Sequence, residues 1–337
     1  DHPDGSQRYE LNVAVSSSLY EYYVGKDHSL RSRFDLGKFV TPYALEPAAD
    51  SLWSVYDDDE DFVNGVLMIV HQIPYEASTP QKYPVETLVE NEGDCDLFSF
   101  VAASIMMAGG LDVVLLFYES EDHMNIGVSL SHVPQDARSS VSYFTYNTKR
   151  YYMAETTGGN WESGWRVGEC PDSLNGVSAN IMTSEDAELV SPGQVSASFS
   201  GLTSSSITLS VSSSLLIEGS SVALSGVVSP ASADGAVTIY VKRDNSSWTI
   251  LGSVSCGSGG RYSYEWKPAS AGVYSIRASW SGDTGHAGAD SNVNSVRVIS
   301  SSWVFLGLTM VLLAVVAVVV YVASRRVGKV SEYPVAQ

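Results

Sequence analysis

Two kinds of hydrophobic spacing divide the chain. In "DDDEDFVNGVLMIVHQI" (57–73) the apolar residues Phe62, Val66, Ile69, Val70 and Ile73 recur at helical spacing. An acidic run precedes them, as suits the positive end of a helix. Asp57–Asp61 lacks the glycine and closing glutamate of an EF-hand calcium loop, so the run is read as a helix N-terminus. In "DLFSFVAASIMMAGG" Leu97, Phe98, Val101, Ile105 and Ala108 form a second stripe, with Asp94 as its N-cap and Gly109-Gly110 as its stop. After it the period changes to two. "LDVVLLFYES" and "EDHMNIGVSL" predict strands, the latter with apolar residues at 124, 126, 128 and 130. "RYYMAETTGG" predicts another, with Glu155 on the face of Tyr151 and Met153, and "GWRVGECP" (164–171) a further one. From 195 to 299 only short alternating runs remain, such as "SSITLSV", "AVTIYVK" and "VYSIRASW", divided by Gly, Pro, Ser and Asp-Asn turns. About seven such runs suit a two-sheet sandwich.

The last pattern is unbroken. "WVFLGLTMVLLAVVAVVVYVA" (303–323) holds 21 residues without a charge. At ~1.5 Å per residue it spans a hydrocarbon core of ~30 Å. Trp303 and Tyr321 stand near its ends as interfacial anchors, and Arg325, Arg326 and Lys329 follow. That basic flank predicts a single-pass protein of the cell membrane, with residues 1–302 extracellular and the tail 324–337 cytoplasmic. The polar start "DHPDGSQRYE" is no signal peptide, so the expected export implies one removed before Asp1.

Charge sharpens these divisions. Residues 1–190 carry 31 acidic and 10 basic side chains, residues 191–300 carry 6 and 6, and the last 37 carry 1 and 3. The expected modules are therefore 1–190, 195–299, 303–323 and 324–337. So acidic a first module would repel nucleic acid, which is excluded as a partner, and it suits a salty or extracellular setting. With 44% hydrophobic residues the chain can bury a sizeable core. The three cysteines, 95, 170 and 256, form no disulfide framework, and neither they nor the six scattered histidines match a zinc motif. No metal or cofactor is expected. Asn245-Ser246-Ser247 is a glycosylation sequon in an expected turn, a pattern that also arises by chance.

The candidate chemistry starts at "NEGDCDLFS" (91–99). Glu92, Asp94 and Asp96 oppose ionisation of Cys95, whereas a helix N-terminus and a protonated histidine favour it. Two outcomes are open: an inert core cysteine, or a nucleophile titrating well below the ~8.5 of a free thiol, with the acids turned away. A nucleophile needs a base and an orienting acid, which His123 and Glu155 on successive strands supply. The pieces "YPVETLVENEGDCDLFSFVAASIMMAGGLDVVLL", "DHMNIGV" and "YYMAETTGGNWESGWRVGECP" resemble the transglutaminase-like superfamily over about residues 55–175. The resemblance implies an α+β fold with a papain-like core and an antiparallel sheet. It also implies a Cys95–His123–Glu155 triad, in family order at spacings of 28 and 32 residues. Glu155 departs from the Asp of many members. The resemblance adds weaker roles: Gln72 as an oxyanion donor, and Trp165 and Tyr83 lining an acyl groove. Cys170 and Cys256 are expected to be buried and inert.

The segment 195–299 resembles the Ig-like repeats of bacterial and archaeal surface proteins. Its single Cys256 excludes a disulfide within that domain. The expected function is a membrane-anchored surface enzyme that cleaves or transfers acyl groups at amide bonds of a protein or peptide substrate. A non-catalytic adhesin or envelope component is the alternative.

Overall fold

The computed structural model describes residues 9–77, 79–158, 163–190, 192–230, 235–244 and 246–328, without the side chains of 33–34, 303–308 and 325–328. Its first unit opens with β1 (Asn12–Ala14) and four helices: α1 (Ser17–Val24), α2 (Pro42–Trp53), α3 (Asp59–Val70) and α4 (Pro84–Glu90). The central helix α5 (Cys95–Ala108) follows, then strands β2 (Asp112–Tyr118), β3 (His123–Ser129), β4 (Tyr143–Tyr146), β5 (Lys149–Ala154) and β6 (Asn180–Thr183). The strands form one antiparallel sheet in the order β4-β5-β3-β2-β6.

Helix α3 begins where its acids predict. Asp58 caps it, its carboxylate accepting the Glu60 and Asp61 N–H groups at 2.8 and 3.3 Å. Asp94 caps α5 in the same way through Leu97 N at 3.3 Å. Helix α5 is more than a stripe: every residue from Leu97 to Met106 is buried. It runs through the middle of the core, covered by α2, α3 and α4 on one side and by the sheet on the other. Met124, Ile126 and Val128 turn towards it. Val114, Leu116, Tyr118, Tyr151 and Met153 form a smaller cluster on the opposite face, closed by Leu174.

Two expectations change here. Residues 164–171 form a loop rather than a strand, with Gly168 at φ +87°. Buried Glu169 at the loop's end accepts Arg138 Nε and Nη2 at 2.9 and 2.7 Å and the Arg138 and Arg166 N–H groups at 2.7 and 3.0 Å. Among the described residues of this segment only Gly168 meets a strand, its N–H donating to Met153 O of β5 at 2.7 Å while its carbonyl accepts from Ser142 N at 2.7 Å. The first unit also extends past 195. Strand β7 (Ser196–Ser198) pairs with β1, Val13 opposite Ala197, and Val195 is buried in the first core.

The sandwich then comprises β8 (Ser206–Ile207), β9 (Ser210–Val211), β10 (Leu215–Ile217), β11 (Val222–Ser229), β12 (Ala236–Arg243), β13 (Thr249–Ser255), β14 (Arg261–Trp266), β15 (Gly272–Gly282), β16 (Ala287–Asp290) and β17 (Asn294–Ile299). One sheet runs β10-β17-β15-β12-β13 with β16 on β15, the other β14-β11-β8 with β9 on β11. Trp266, Trp280, Ile239, Ile276 and Val296 fill the space between them. Polar contacts join the sandwich to the first unit: Arg277 Nη2 meets Glu21 at 3.0 Å, and Ser18 N donates to Asp290 Oδ2 at 3.0 Å.

Helix α6 (Ser301–Gly328) ends the described chain. Among the described residues no helix is long and apolar enough to cross a membrane. The expected span 303–323 falls partly outside them, through the side chains of 303–308. Residues 1–8, Asn245 and the tail 329–337 also lie outside the described residues.

Candidate functional site

Three elements deliver the site. Cys95 opens α5, so its backbone N–H is one of those with no acceptor within the helix. His123 opens β3. Glu155 follows the last residue of β5. Strands β3 and β5 are paired at Ile126↔Ala154, so Glu155 comes one step beyond the ladder, opposite Asn125.

Glu155 is buried, yet all of its bonding capacity is used. Its carboxylate accepts from His123 Nε2 at 3.0 Å, Asn125 Nδ2 at 2.9 Å, and Thr157 N and Oγ1 at 2.8 and 2.6 Å. Burial alone would raise its pKa. The His123 hydrogen bond and charge, with the Thr157 and Asn125 donors, outweigh burial and hold it below the usual glutamate value. The same pair acts on His123: burial favours the neutral ring, but Glu155, and more weakly Asp96, raise its pKa. A carboxylate can only accept, so Nε2 carries the ring proton. Nδ1 makes no hydrogen bond among the described residues, and no contact between the His123 ring and the Cys95 sulfur is seen among them.

The thiol lies at the end of the same strand. The Met124 N–H, next in the chain to His123, points at the sulfur and eases its ionisation. That help is too small. Burial, then the Asp96 charge, push the Cys95 thiol up to about 12. Asp94 faces into the helix cap as expected, but Asp96 does not turn away: the Cys95 S–H lies 3.6 Å from Asp96 Oδ1. Asp96 is itself pushed upward by burial and by Asp94. In this resting arrangement the cysteine is a neutral thiol held by an acid, contrary to the expectation of a depressed pKa.

Further residues complete the frame. Ser99 Oγ donates to Cys95 O at 2.7 Å and meets Thr156 Oγ1 at 3.0 Å, tying the first turn of α5 to the Glu155 segment. His71 closes the other side, its Nε2–H donating to Glu155 O at 3.0 Å, and burial keeps that ring neutral. None of Asn125, Thr157, Ser99 and His71 stands out in the sequence. Asn125 and Thr157 share a strand parity with their partners, the one signal available.

The weaker candidates separate. Gln72 is exposed and donates to Met68 O of its own helix at 2.8 Å, so its amide is engaged away from the thiol. Tyr83 is a core residue: 2% exposed, packed on Tyr23, His28 and Phe39, with its hydroxyl on Asp27 O at 3.2 Å. At 2% exposure it lines no groove, and it stands as the N-cap residue of α4. Trp165 is half-buried on the 163–168 loop, outside every hydrophobic cluster and without a contact to the triad among the described residues. Cys170 is half-buried and Cys256 buried; burial raises both thiols. Asp58, Glu60 and His132 offer ligand atoms within 4.8 Å of one another. Helix capping by Asp58 and the Gln135 and Asp136 N–H groups on Glu60 account for that cluster without an ion.

Residues 207–299 match the bacterial Ig-like domain (group 3) family. The sandwich is therefore a bacterial Ig-like domain, as its strand spacing predicts. No curated protein matches the chain. Among solved structures, the CARDB domain of a Pyrococcus furiosus protein in complex with di-metal ions is 14% identical. It covers 28% of this chain and 87% of that one, at a TM-score of 0.20. The sulfur carrier protein SoxY from Chlorobium limicola is 13% identical over 29% of this chain and 86% of its own, at a TM-score of 0.21. Likeness at this level carries no argument about function.

Proposed function

We propose that the first unit is a cysteine acyl-transfer enzyme of the transglutaminase-like type, acting on amide bonds of protein or peptide substrates at a cell surface. The observation that carries this reading is the His123 Nε2–Glu155 pair at 3.0 Å. It leaves the unbonded Nδ1 as the base, with the Cys95 thiol against the adjoining backbone. In the reaction Nδ1 takes the thiol proton, and sulfur forms a bond to the amide carbonyl carbon as the C=O pair moves onto oxygen. The Cys95 N–H at the helix terminus, which has no acceptor within the helix, is a backbone donor for that oxygen. Collapse breaks the C–N bond, Nδ1–H protonates the leaving amine, and a thioester remains. Water or a second amine then attacks the thioester, passing its proton to Nδ1, and the thiol is released. Hydrolysis is the favoured outcome, because water is always present whereas transfer needs an amine site that excludes it.

The test is labelling of the intact chain with peptide-amide electrophiles, with Cys95→Ala as control. Labelling confined to Cys95 and lost in His123→Ala supports the enzyme. One observation favours the alternative, a non-catalytic adhesin: the thiol is raised to about 12 and held by Asp96. Absence of labelling at every pH would favour that reading.

Helix α6 supports attachment to a membrane. Met310–Leu313 and Val318–Val322 are exposed, a set of apolar side chains with no core to enter. With Arg325, Arg326 and Lys329 following, the basic flank faces the cytoplasm and the two folded units face outward. Protease added to intact cells should digest residues up to 300 and spare the tail; the reverse pattern would invert this topology.

A further inference from the structure

A cavity of about 330 Å³ lies between Phe98, on the first turn of α5, and the Thr157–Gly158 segment; Cys95 itself is not among its lining residues. Its walls come from three segments that also build the catalytic frame. Ile73 and Tyr75 belong to the connection between α3 and α4, Phe98 lies one turn after Cys95, and Thr157 and Gly158 follow Glu155. The outer wall is fixed to the turn before the nucleophile: Glu76 N donates to Gly93 O at 2.7 Å and Gly93 N to Pro74 O at 3.2 Å. Thr157 holds the Glu155 carboxylate, so one wall is shared with the triad.

The lining combines apolar Ile73, Tyr75 and Phe98 with the uncharged polar side chains of Gln72, His71 and Thr157. Tyr75 stands edge-on to Phe98 with centroids 6.1 Å apart, and the tyrosine remains 61% exposed at the mouth. No formal charge lines the cavity at neutral pH. His71 is kept neutral by burial, with its Nε2–H spent on Glu155 O. The floor is backbone, since a Cβ at Gly158 would come within 2.9 Å of the His71 ring. Ligand sites run from ~300 to ~1,000 Å³, so this volume suits one large side chain and no more. Carboxylates surround the mouth: Tyr75 feels the charges of Asp94, Asp96 and Asp122.

We infer that this cavity is the specificity pocket of the Cys95 site, taking a large uncharged side chain such as Phe, Leu or Met from the residue whose carbonyl is attacked. The inference rests on the acyl-transfer reading above. It predicts that acidic residues are rejected twice, by the uncharged lining and by the carboxylates at the mouth.

The experiment uses the full chain and a series of peptidyl electrophiles that differ only at that residue, carrying Phe, Leu, Ala or Glu. Second-order rates of Cys95 modification should be at least about 10-fold higher for Phe and Leu than for Ala, and about 100-fold higher than for Glu. Ile73→Arg should raise the Glu rate at least about 10-fold and lower the Phe rate, a gain that a misfolded protein cannot produce. His123-dependent labelling with equal Phe and Ala rates, or an unchanged Phe-to-Glu ratio in Ile73→Arg, overturns the pocket alone. No reaction with any peptidyl probe, together with iodoacetamide reactivity indifferent to His123→Ala, overturns the enzyme reading and the pocket with it.

Discussion

The two folded units bury polar groups for different ends. In the sandwich the space between the sheets is filled by Trp266, Trp280, Ile239, Val296 and their neighbours, with no ion pair between them among the described residues. Its buried Arg277 and Ser279 face the first unit instead, meeting Glu21 and Ser16. The first unit buries Glu60, Glu86, Glu155 and Glu169. Each is held by at least two donors, and Glu60, Glu86 and Glu169 fasten loops or helix ends. Glu155 instead holds the His123 ring at the head of β3. Burying a carboxylate costs several kcal/mol unless it is paired. In the first unit those donors offset that cost, a device the described core of the sandwich does without.

The sharpest way to break this contrast is to separate chemistry from stability. Cys95→Ala should lower acyl-transfer or labelling rates by about 10⁴-fold or more while changing unfolding free energy by less than about 1 kcal/mol. Trp280→Ala, at a side chain 1% exposed, should cost about 3–5 kcal/mol in denaturant unfolding. It should leave the rate per folded molecule unchanged. If Trp280→Ala abolished the chemistry at full folding, the two units would not be divided as described.

Glu155→Gln comes next and should do both kinds of harm. It leaves an imidazole without its counter-charge, and rates should fall about 10²–10⁴-fold. It should also destabilise the first unit by about 3 kcal/mol. The pH dependence is specific. His123 is raised on folding, so its contribution is whole below its free value near ~6.5 and is lost as pH rises through the folded value. Glu155 is lowered, so its contribution is present above its free value near ~4.3 and is lost as pH falls through the folded one. Wild type should therefore be most stabilised by this pair between about pH 4.3 and 6.5. Glu155→Gln should flatten that window in urea titrations.

Asp96→Asn should act in the opposite direction. Removing the charge beside the thiol lowers a pKa now near 12, and iodoacetamide labelling at pH 8 should rise about 10-fold for each unit gained. A fall in labelling would show that Asp96 assists the thiol rather than restraining it. The smallest effect belongs to the seam between the units. Glu21 is 46% exposed, so water screens its pair with Arg277, and Arg277→Ala should cost about 1 kcal/mol. Calorimetry should show the two unfolding transitions move apart by a few degrees without any change in labelling.

What the sequence determined by itself was local. Hydrophobic period, acidic helix starts, an Asp N-cap and a Gly-Gly stop located α3 and α5, and alternation located β2, β3, β5 and most of the sandwich. These signals arise from neighbours within a few residues, so they can be read without the fold. They were enough to put Cys95 in the first turn of a helix, with His123 and Glu155 at the ends of two strands. Only the tertiary structure decided what depends on distant partners. The strand pairing of Val13 with Ala197 moved the end of the first unit, and residues 164–171 are a loop anchored by Arg138 on Glu169. The Glu155 segment brought Asn125, Thr157 and His71 into one frame. The orientation of Asp96 is the clearest instance. Sequence shows a carboxylate one residue from a thiol, but whether it faces solvent or sulfur depends on distant partners, and in the fold Asp96 lies between the Cys95 sulfur and the Gln81 amide.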